Sequence, residues 1–181
     1  MRADARRNRD RVLTAAREVF GVDGAEAQMD DVARAAGVGV GTVYRHFPTK
    51  EALIAEIVRQ TFAAFARRAQ EALGREGSAF EALSWLLHGN AEQLAGDAAT
   101  RYALGGGTAV WEASAAERGQ LERLAAELIH RGCREGTLRQ DLSVADIGMV
   151  MCGLASSIGR GFDWRRHLAL MLDGMREPAK G

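Results

Sequence analysis

Cysteine and proline are scarce in this chain of 181 residues, which contains two of each. Cys133 and Cys152 are too few and too far apart for a disulfide framework or a zinc site, so we expect buried, reduced thiols. No apolar run approaches the roughly 18 residues of a membrane-spanning helix, and no signal peptide is recognisable. These absences predict a cytoplasmic protein with no membrane partner.

A net charge is also missing, because 24 Lys and Arg residues balance 24 Asp and Glu residues. Net charge therefore gives no indication of a nucleic-acid partner. The first 11 residues nevertheless hold more arginine than aspartate: Arg2, Arg6, Arg7, Arg9 and Arg11 against Asp4 and Asp10. This cluster either contacts an anion or forms a solvated terminus.

Strand-like alternation and internal repeats are absent, whereas apolar residues at helical spacing occur along the whole chain. Ser78 with Glu81, and Ser143 with Asp146, have the spacing of helix caps. Residues 105–107 are three glycines, which we expect to interrupt a helix. The pattern predicts an all-α fold of about nine helices.

One stretch is typical of a helix, a tight turn and a second helix. Val32 and Ala36 belong to a small apolar face of the first helix. Gly37 stands where a chain leaves a helix in the left-handed conformation, which glycine adopts readily. Val43 and Phe47 lie four residues apart on the inner side of the second helix. Such a pair is a helix-turn-helix, whose second helix fits the major groove of DNA.

The other side of the second helix faces outward and carries Val40, Gly41, Thr42, Tyr44, Arg45 and His46. A solvated helix face normally carries Glu and Lys, whereas this one is small, hydroxylated and cationic. Small residues let the backbone approach DNA, and hydroxyls and cations suit phosphate oxygens. The alternative, a helical hairpin inside a core, is disfavoured by this surface. Lys50 begins the next helix, where a cation is favoured only if an external anion approaches.

The same stretch resembles the TetR/AcrR family of bacterial transcriptional regulators. The resemblance covers about residues 6–53, and its motifs are MDDVARAAGV at residues 29–38 and GTVYRHFPTKEAL at residues 41–53. It implies an N-terminal three-helix helix-turn-helix head plus a C-terminal helical bundle. We therefore expect a DNA-binding domain in residues 1–50 and a ligand-binding and dimerisation domain in residues 51–181.

The resemblance also implies roles for individual residues in binding DNA. Thr42 and Tyr44 would contact backbone and base edges, and Val40 and Gly41 would lie close to bases. His46 and Lys50 would hold phosphates, and Arg45 belongs to the same exposed surface. Gln28 and Met29 would meet the backbone on the other wall of the groove. Two positions depart from the family pattern. Gln28 stands where serine or threonine is usual, and Gly39 stands where serine is frequent as a helix cap; both departures weaken the local helix starts.

In the body, the resemblance implies a ligand cavity and a dimer interface. The candidate ligand-binding residues are Phe65, Trp85, His88, Tyr102, Trp111, Met149 and Cys152. For each of these a structural role remains an open alternative: Phe65 can be plain core, His88 a satisfied or surface histidine, and Met149 part of the dimer face. The homodimer is expected to form through residues 147–158, whose first part, residues 147–154, is apolar nearly all round, and through residues 164–175.

The leading functional hypothesis is a dimeric, ligand-responsive repressor that binds a pseudo-palindromic double-stranded DNA operator and is released by a small-molecule effector. A helical enzyme or ligand carrier is a second possibility. It lacks support because the four histidines are dispersed and no His-Glu pair has metal-ligand spacing, so we expect no catalytic residues, metal or cofactor. An activator or architectural DNA-binding protein is a third possibility, which the sequence does not separate from a repressor.

Overall fold

The computed structural model describes residues 2–105 and 108–178. Ten α-helices and a 3-10 helix, Gly24–Glu26, form in this part of the chain, and the only β-pairing within it is an isolated bridge between Leu138 and Arg176. The α-helices are α1 (Arg2–Asp23), α2 (Met29–Ala36), α3 (Val40–His46), α4 (Lys50–Leu73), α5 (Ala79–Gly96), α6 (Ala98–Leu104), α7 (Thr108–Ala113), α8 (Ala115–Glu135), α9 (Val144–Gly159) and α10 (Trp164–Met175).

The predicted all-α fold is confirmed, with ten helices instead of about nine because α6 and α7 are separate short helices. Gly106 and Gly107 of the predicted glycine break lie outside the described residues. No helix in the described part of the chain combines the length and the apolarity that crossing a bilayer requires.

Both predicted helix caps are present. The Ser143 hydroxyl accepts a hydrogen bond from the Asp146 N–H at 3.3 Å, and the Asp146 carboxylate accepts from the Ser143 N–H at 2.8 Å. Ser78 and Glu81 make the same exchange at the start of α5, at 3.2 and 2.9 Å. Because these hydrogen bonds stabilise the ionised carboxylates, the pKa values of Asp146 and Glu81 lie below their ordinary values.

The chain divides into two compact units, and the division does not follow sequence order. The first unit comprises Met1–Thr61 and Asp97–Ala115, and the second comprises Phe62–Gly96 and Ala116–Gly181. The first unit therefore holds α1 to α3, the first half of α4, α6 and α7. This division rests on packing, whereas the domain boundary that we place after residue 50 is functional and stays a prediction.

In the first unit, α1 packs against α2, α3 and α6. Val12, Ala16 and Phe20 of α1 are buried at helical spacing, and they meet buried side chains such as Val32 of α2. Since one helix contacts all three neighbours, α1 braces the helix-turn-helix from behind.

A second set of contacts, which are polar, ties α6 to α1 and α4 within the same unit. The Arg17 guanidinium donates to the Asp97 carboxylate at 2.5 Å, to the Thr100 hydroxyl at 3.0 Å and to the Gln60 side-chain oxygen at 3.3 Å. The hydroxyls of Thr61 and Thr100 lie 3.2 Å apart, and both residues are fully buried. Polar groups are buried without a large penalty only when they are bonded in this way.

In the second unit, α9 packs against α5 and α10 around an apolar cluster. Leu83 and Leu87 of α5, Leu128 of α8, Leu154 of α9 and Leu168 of α10 are all at most 1% exposed. Trp164 at the start of α10 joins the same cluster, so every helix of this unit contributes to one core.

Gly132 on α8 tests how closely this core is packed. A Cβ atom at Gly132 would lie 2.6 Å from Cγ and 3.1 Å from Cβ of the fully buried Leu138. We expect Gly132→Ala to lower the free energy of unfolding by about 1–3 kcal/mol, because the whole Leu138 side chain must move.

Gly119 on the same helix is the matched control, since a Cβ there would approach only Arg123 Nη1, at 3.7 Å. Gly119→Ala should raise stability by about 0.5–1 kcal/mol through helix propensity. Urea denaturation followed by circular dichroism measures both variants. A Gly132→Ala protein as stable as Gly119→Ala would contradict the packing described here.

Candidate nucleic-acid interface

The turn between α2 and α3 has the geometry that the sequence predicts. Gly37 ends α2 in the left-handed conformation, with φ 63° and ψ 39°, and its N–H donates to the carbonyls of Ala33 and Arg34. Val38 follows, half-buried between the two helices. Gly39 then begins α3 without a side-chain cap, which agrees with its departure from a serine.

Burial determines which side of α3 faces inward. Val43 is completely buried and Phe47, which ends the helix, is 4% exposed. The opposite side is open, since Val40 is 42% and Tyr44 48% exposed, and Arg45 is exposed as well. Thr42 and His46 are half-buried at the edges of this surface. We call the residues Val40, Gly41, Thr42, Tyr44, Arg45 and His46 the α3 outer face.

The glycine at position 41 has no role in packing the chain against itself. A Cβ atom built at Gly41 would meet no atom within 4 Å, and the same holds for Gly39. The two glycines lie on either side of the exposed Val40 at the start of α3, and their lack of side chains leaves the backbone accessible to an external molecule. A helix start of this kind can approach the base edges in a major groove closely.

At the start of α2, where we expect contacts with the other wall of the groove, the side chains are less available than the sequence suggests. Met29 is only 6% exposed, so a contact with a phosphate could use its backbone N–H but not its side chain. The Gln28 side-chain nitrogen donates to the Glu26 carbonyl at 2.9 Å, and the Gln28 N–H donates to Asp31 at 3.2 Å. The proposed DNA contacts of these two residues stay predictions.

Lys50 is engaged inside the first unit. Its ammonium donates to the Ala25 carbonyl at 2.6 Å and lies 5.7 Å from the centre of the Phe20 ring. A lysine ammonium has three N–H donors, so this contact leaves capacity for a phosphate. The structure thus supplies an internal partner that the sequence did not predict.

Two arginines of α1 contact the helix-turn-helix, one at its turn and one at the end of α3. Arg11 donates to the Gly37 carbonyl at 3.3 Å, next to the turn. Arg9 lies 5.2 Å from the centre of the Phe47 ring and forms a salt bridge of 3.0 Å with Glu56 on α4. These residues position α3. The sequence shows the arginine cluster to which they belong but does not predict their contacts with Gly37, Phe47 and Glu56.

Known proteins share this arrangement. The profile described as "Bacterial regulatory proteins, tetR family" matches residues 12–57. The HTH-type transcriptional regulator UidR of Escherichia coli K12 is 41% identical over 61 residues, which cover 33% of this chain and 31% of UidR. The match to this curated relative therefore spans only about a third of the relative's length.

Two solved structures are similar along almost their whole length. A TetR transcriptional regulator from Streptomyces coelicolor is 30% identical, covers 94% of this chain and 99% of its own, and has a TM-score of 0.65. A TetR transcription regulatory protein from Mycobacterium vanbaalenii is 33% identical, with coverages of 97% and 98% and a TM-score of 0.65.

The chain belongs to the TetR family. This confirms the resemblance drawn from residues 29–53 and the helix-turn-helix head with its helical bundle. TetR-family members are DNA-binding transcriptional regulators, so the relatives also support the expectation that the protein is not an enzyme.

The candidate ligand-binding residues of this TetR-family chain are divided between the two units. Tyr102 and Trp111 belong to the first unit, where the Tyr102 ring centre is 5.9 Å from that of Phe20. The second unit contains the other five: Phe65, Trp85, His88, Met149 and Cys152. Two open depressions of about 490 and 350 Å³ in the second unit are lined by none of the seven.

The five candidates of the second unit have different surroundings. Phe65 is buried, the Arg75 guanidinium lies 4.5 Å from the centre of the Trp85 ring, and His88 Nδ1 is 2.8 Å from the Ser84 carbonyl oxygen. Met149 is 65% exposed. Cys152, which we expect to be buried, is in fact exposed, because it lies on the side of α9 turned away from the core.

Glu56 provides a pH-dependent test of how α3 is held. Burial raises the pKa of Glu56, whereas hydrogen bonds and positive charge from Arg59 and Arg9 lower it. The lowering effects are together the larger, so the pKa of Glu56 lies below its ordinary value. The resulting stabilisation is present above the unfolded-state pKa and is lost as the pH falls through the lower folded-state pKa.

We therefore expect Glu56→Gln to reduce stability at neutral pH and to flatten its decline below about pH 5. Urea unfolding between neutral and acidic pH measures this dependence. Glu18→Gln, at an exposed position of α1, is the control and should keep the wild-type profile. Parallel profiles for wild type and Glu56→Gln would show that the salt bridge contributes nothing.

Proposed function

We propose that this protein is a homodimeric, ligand-responsive repressor that binds a pseudo-palindromic operator in double-stranded DNA and leaves it when a small-molecule effector binds. The α3 outer face is the observation that carries the proposal. Its glycine has no packing role in the chain, and the hydroxyls and cations beside that glycine match the chemistry of phosphates and base edges.

Within that face, we assign base contacts to the start of α3 and phosphate contacts to its edges. Val40 and Gly41 reach base edges, Thr42 and Tyr44 contact bases and backbone, and Arg45 and His46 add cationic donors. Gln28, Met29 and Lys50 contact the backbone next to the same groove, Met29 through its N–H.

A homodimer is supported by the outward side of α9 and α10. At helical spacing along α9, this side carries small and apolar residues, namely Ala145, Gly148, Met149, Cys152, Ser156 and Gly159, all exposed. Leu170 and Met171 of α10 are 49% and 36% exposed. Single exposed apolar residues are common, but a continuous stripe of them marks an interface. A two-fold axis would pair this surface with itself and so join residues 147–158 and 164–175 of both copies.

Dimerisation lets two α3 outer faces bind one operator. Two copies related by a two-fold axis read half-sites about 34–36 Å apart on a pseudo-palindrome. An effector that alters the separation of the two α3 helices lowers affinity by a coupling energy that is typically about 1–3 kcal/mol. Its binding residues are proposed from the seven candidates above. Repression needs only occupancy of the operator, whereas activation needs a further contact with the transcription machinery.

The first test measures operator binding by the α3 outer face. Selection from random double-stranded DNA provides the operator, and fluorescence anisotropy measures affinity. We expect Thr42→Ala with Tyr44→Ala to weaken specific binding at least about tenfold, because hydrogen bonds to charged groups contribute about 1.5–3 kcal/mol each. Thr14→Ala, an exposed threonine of α1, is the matched control and should bind as wild type does.

Two outcomes would reject these assignments. If selection yields no sequence preference, the protein is not an operator-binding regulator. Unchanged affinity in the double variant would instead remove the α3 outer face from the interface. A reporter gene placed downstream of the selected operator then separates repression from activation, since the proposal requires expression to rise when the protein is deleted.

The second test concerns the dimer. We expect Met149→Glu with Leu170→Glu to be monomeric in sedimentation velocity and to lose operator affinity, because burying two carboxylates in an apolar interface is strongly unfavourable. Val22→Glu is the control, since Val22 is an apolar residue of the first unit that is 85% exposed. A monomeric wild-type protein, or a charged variant that still dimerises, would refute the proposed interface.

A further inference from the structure

The arginines that precede the helix-turn-helix are not used equally inside the protein. Arg9 is bound to Glu56 and lies against Phe47, and Arg11 donates to the Gly37 carbonyl. Arg7 is hydrogen-bonded to Asp4. Arg6 is exposed, and nothing in the described part of the chain is hydrogen-bonded or ion-paired to its guanidinium, including the exposed Asp10 one turn away.

The position of Arg6 on α1 follows from that of Arg9. Residues three apart on a helix are neighbours on the same face. Arg6 therefore lies on the face of α1 that carries Arg9 to Phe47 and Glu56, one turn nearer the start of the helix. Phe47 ends α3, so Arg6 lies one turn of α1 away from the contact that Arg9 makes with the end of α3, which also holds Arg45 and His46.

The opposite end of α1 faces elsewhere. Phe20 packs on Tyr102, and a Cβ at Gly21 would lie 3.6 Å from the Ala98 side chain, so the last turns of α1 contact α6. The first turns contact the helix-turn-helix through Arg9 and Arg11. The arginine-rich end of α1 is thus the end beside the DNA-reading helix.

From this arrangement we propose that Arg6 is an additional DNA contact, which binds a backbone phosphate beyond the groove that α3 reads. The inference rests on the proposed function, because it requires an operator. Arg6 is a separate case from the α3 outer face, since it belongs to another helix and contributes affinity without base readout. A guanidinium with all its donors free matches phosphate geometry, and a neutral protein gains attraction to DNA only where such cations are concentrated.

The salt dependence of operator binding provides the test. Each phosphate contact contributes about 0.9 to the slope of log affinity against log salt concentration. We expect Arg6→Gln to reduce the slope by about 0.9 per protomer bound, and to weaken binding about fivefold per protomer at about 0.15 M salt. Arg6→Lys should restore most of the slope because it keeps the charge. Arg67→Gln, an exposed arginine of α4 in the second unit, is the matched control and should leave the slope unchanged.

Operators of two lengths place the contact on the flanking DNA. Removing about 10 base pairs, or about one helical turn, of the flanking DNA outside each half-site should weaken wild-type binding. The same trimming should have little further effect on Arg6→Gln, since that variant has already lost the flanking contact. The selectivity between operator and scrambled DNA should be the same in both proteins, because phosphate contacts carry no sequence information.

The possible results separate this inference from the function on which it rests. Specific binding by Arg6→Gln with the wild-type slope and the wild-type response to trimming would overturn the inference and leave the proposed function intact. A preference for A·T-rich flanks that disappears in Arg6→Gln would overturn the phosphate assignment in favour of insertion into a narrow minor groove. If the wild-type protein selects no operator, both proposals fail.

Discussion

The burial of Val43 and Phe47 is the constraint on which the α3 outer face depends. The helix that carries this surface, α3, has seven residues, and isolated helices shorter than about 12–15 residues are marginal in water. It is therefore stabilised mainly by the packing of its inner side, where Val43 is completely buried and Phe47 nearly so. Once that side is turned inward, the helical period turns Val40, Gly41 and Tyr44 outward. Packing of the inner side thus determines which residues are exposed, but it does not constrain the chemistry of those exposed residues.

A short helix also needs its ends held, and charged groups of α1 and α4 do this in the first unit. Arg9 covers the Phe47 ring, and its charge is compensated by Glu56, whose side chain is only 10% exposed. Without that carboxylate, placing a guanidinium against an apolar ring in a partly buried site would be unfavourable. Arg11 donates to the carbonyl of Gly37, in the turn that precedes α3. One helix, α1, therefore supports the turn and the end of α3 together.

Local sequence patterns predicted the features that depend on residues close together in the sequence. They did not predict the contacts between segments that are distant in the sequence. Gly37, the caps at Ser78 and Ser143, and the inner side of α3 all follow from spacing, and the structure has them. The burial of the Met29 side chain, the contact of Lys50 with Ala25 and the exposure of Cys152 depend on which elements pack together, which periodicity does not specify. Ligand-binding residues are the hardest to predict, because a cavity is a gap between helices and has no pattern of its own. Their assignment to residues such as Trp85 and Tyr102 came from the resemblance and residue type alone.

The assignment of α6 to the first unit has a consequence for the proposed response to an effector. Its residues lie some 80 positions along the chain from Arg17, yet Arg17 bonds to Asp97 and Thr100 at the start of α6. Thr61 of α4 meets the same Thr100, and both hydroxyls are buried. Displacing α6 would leave these donors and acceptors unsatisfied, and each such group costs about 1–3 kcal/mol, which is comparable to a typical coupling energy between two sites. Any event that moves α6 must therefore also move α1 and α4, the two helices that position α3, or else lose those hydrogen bonds.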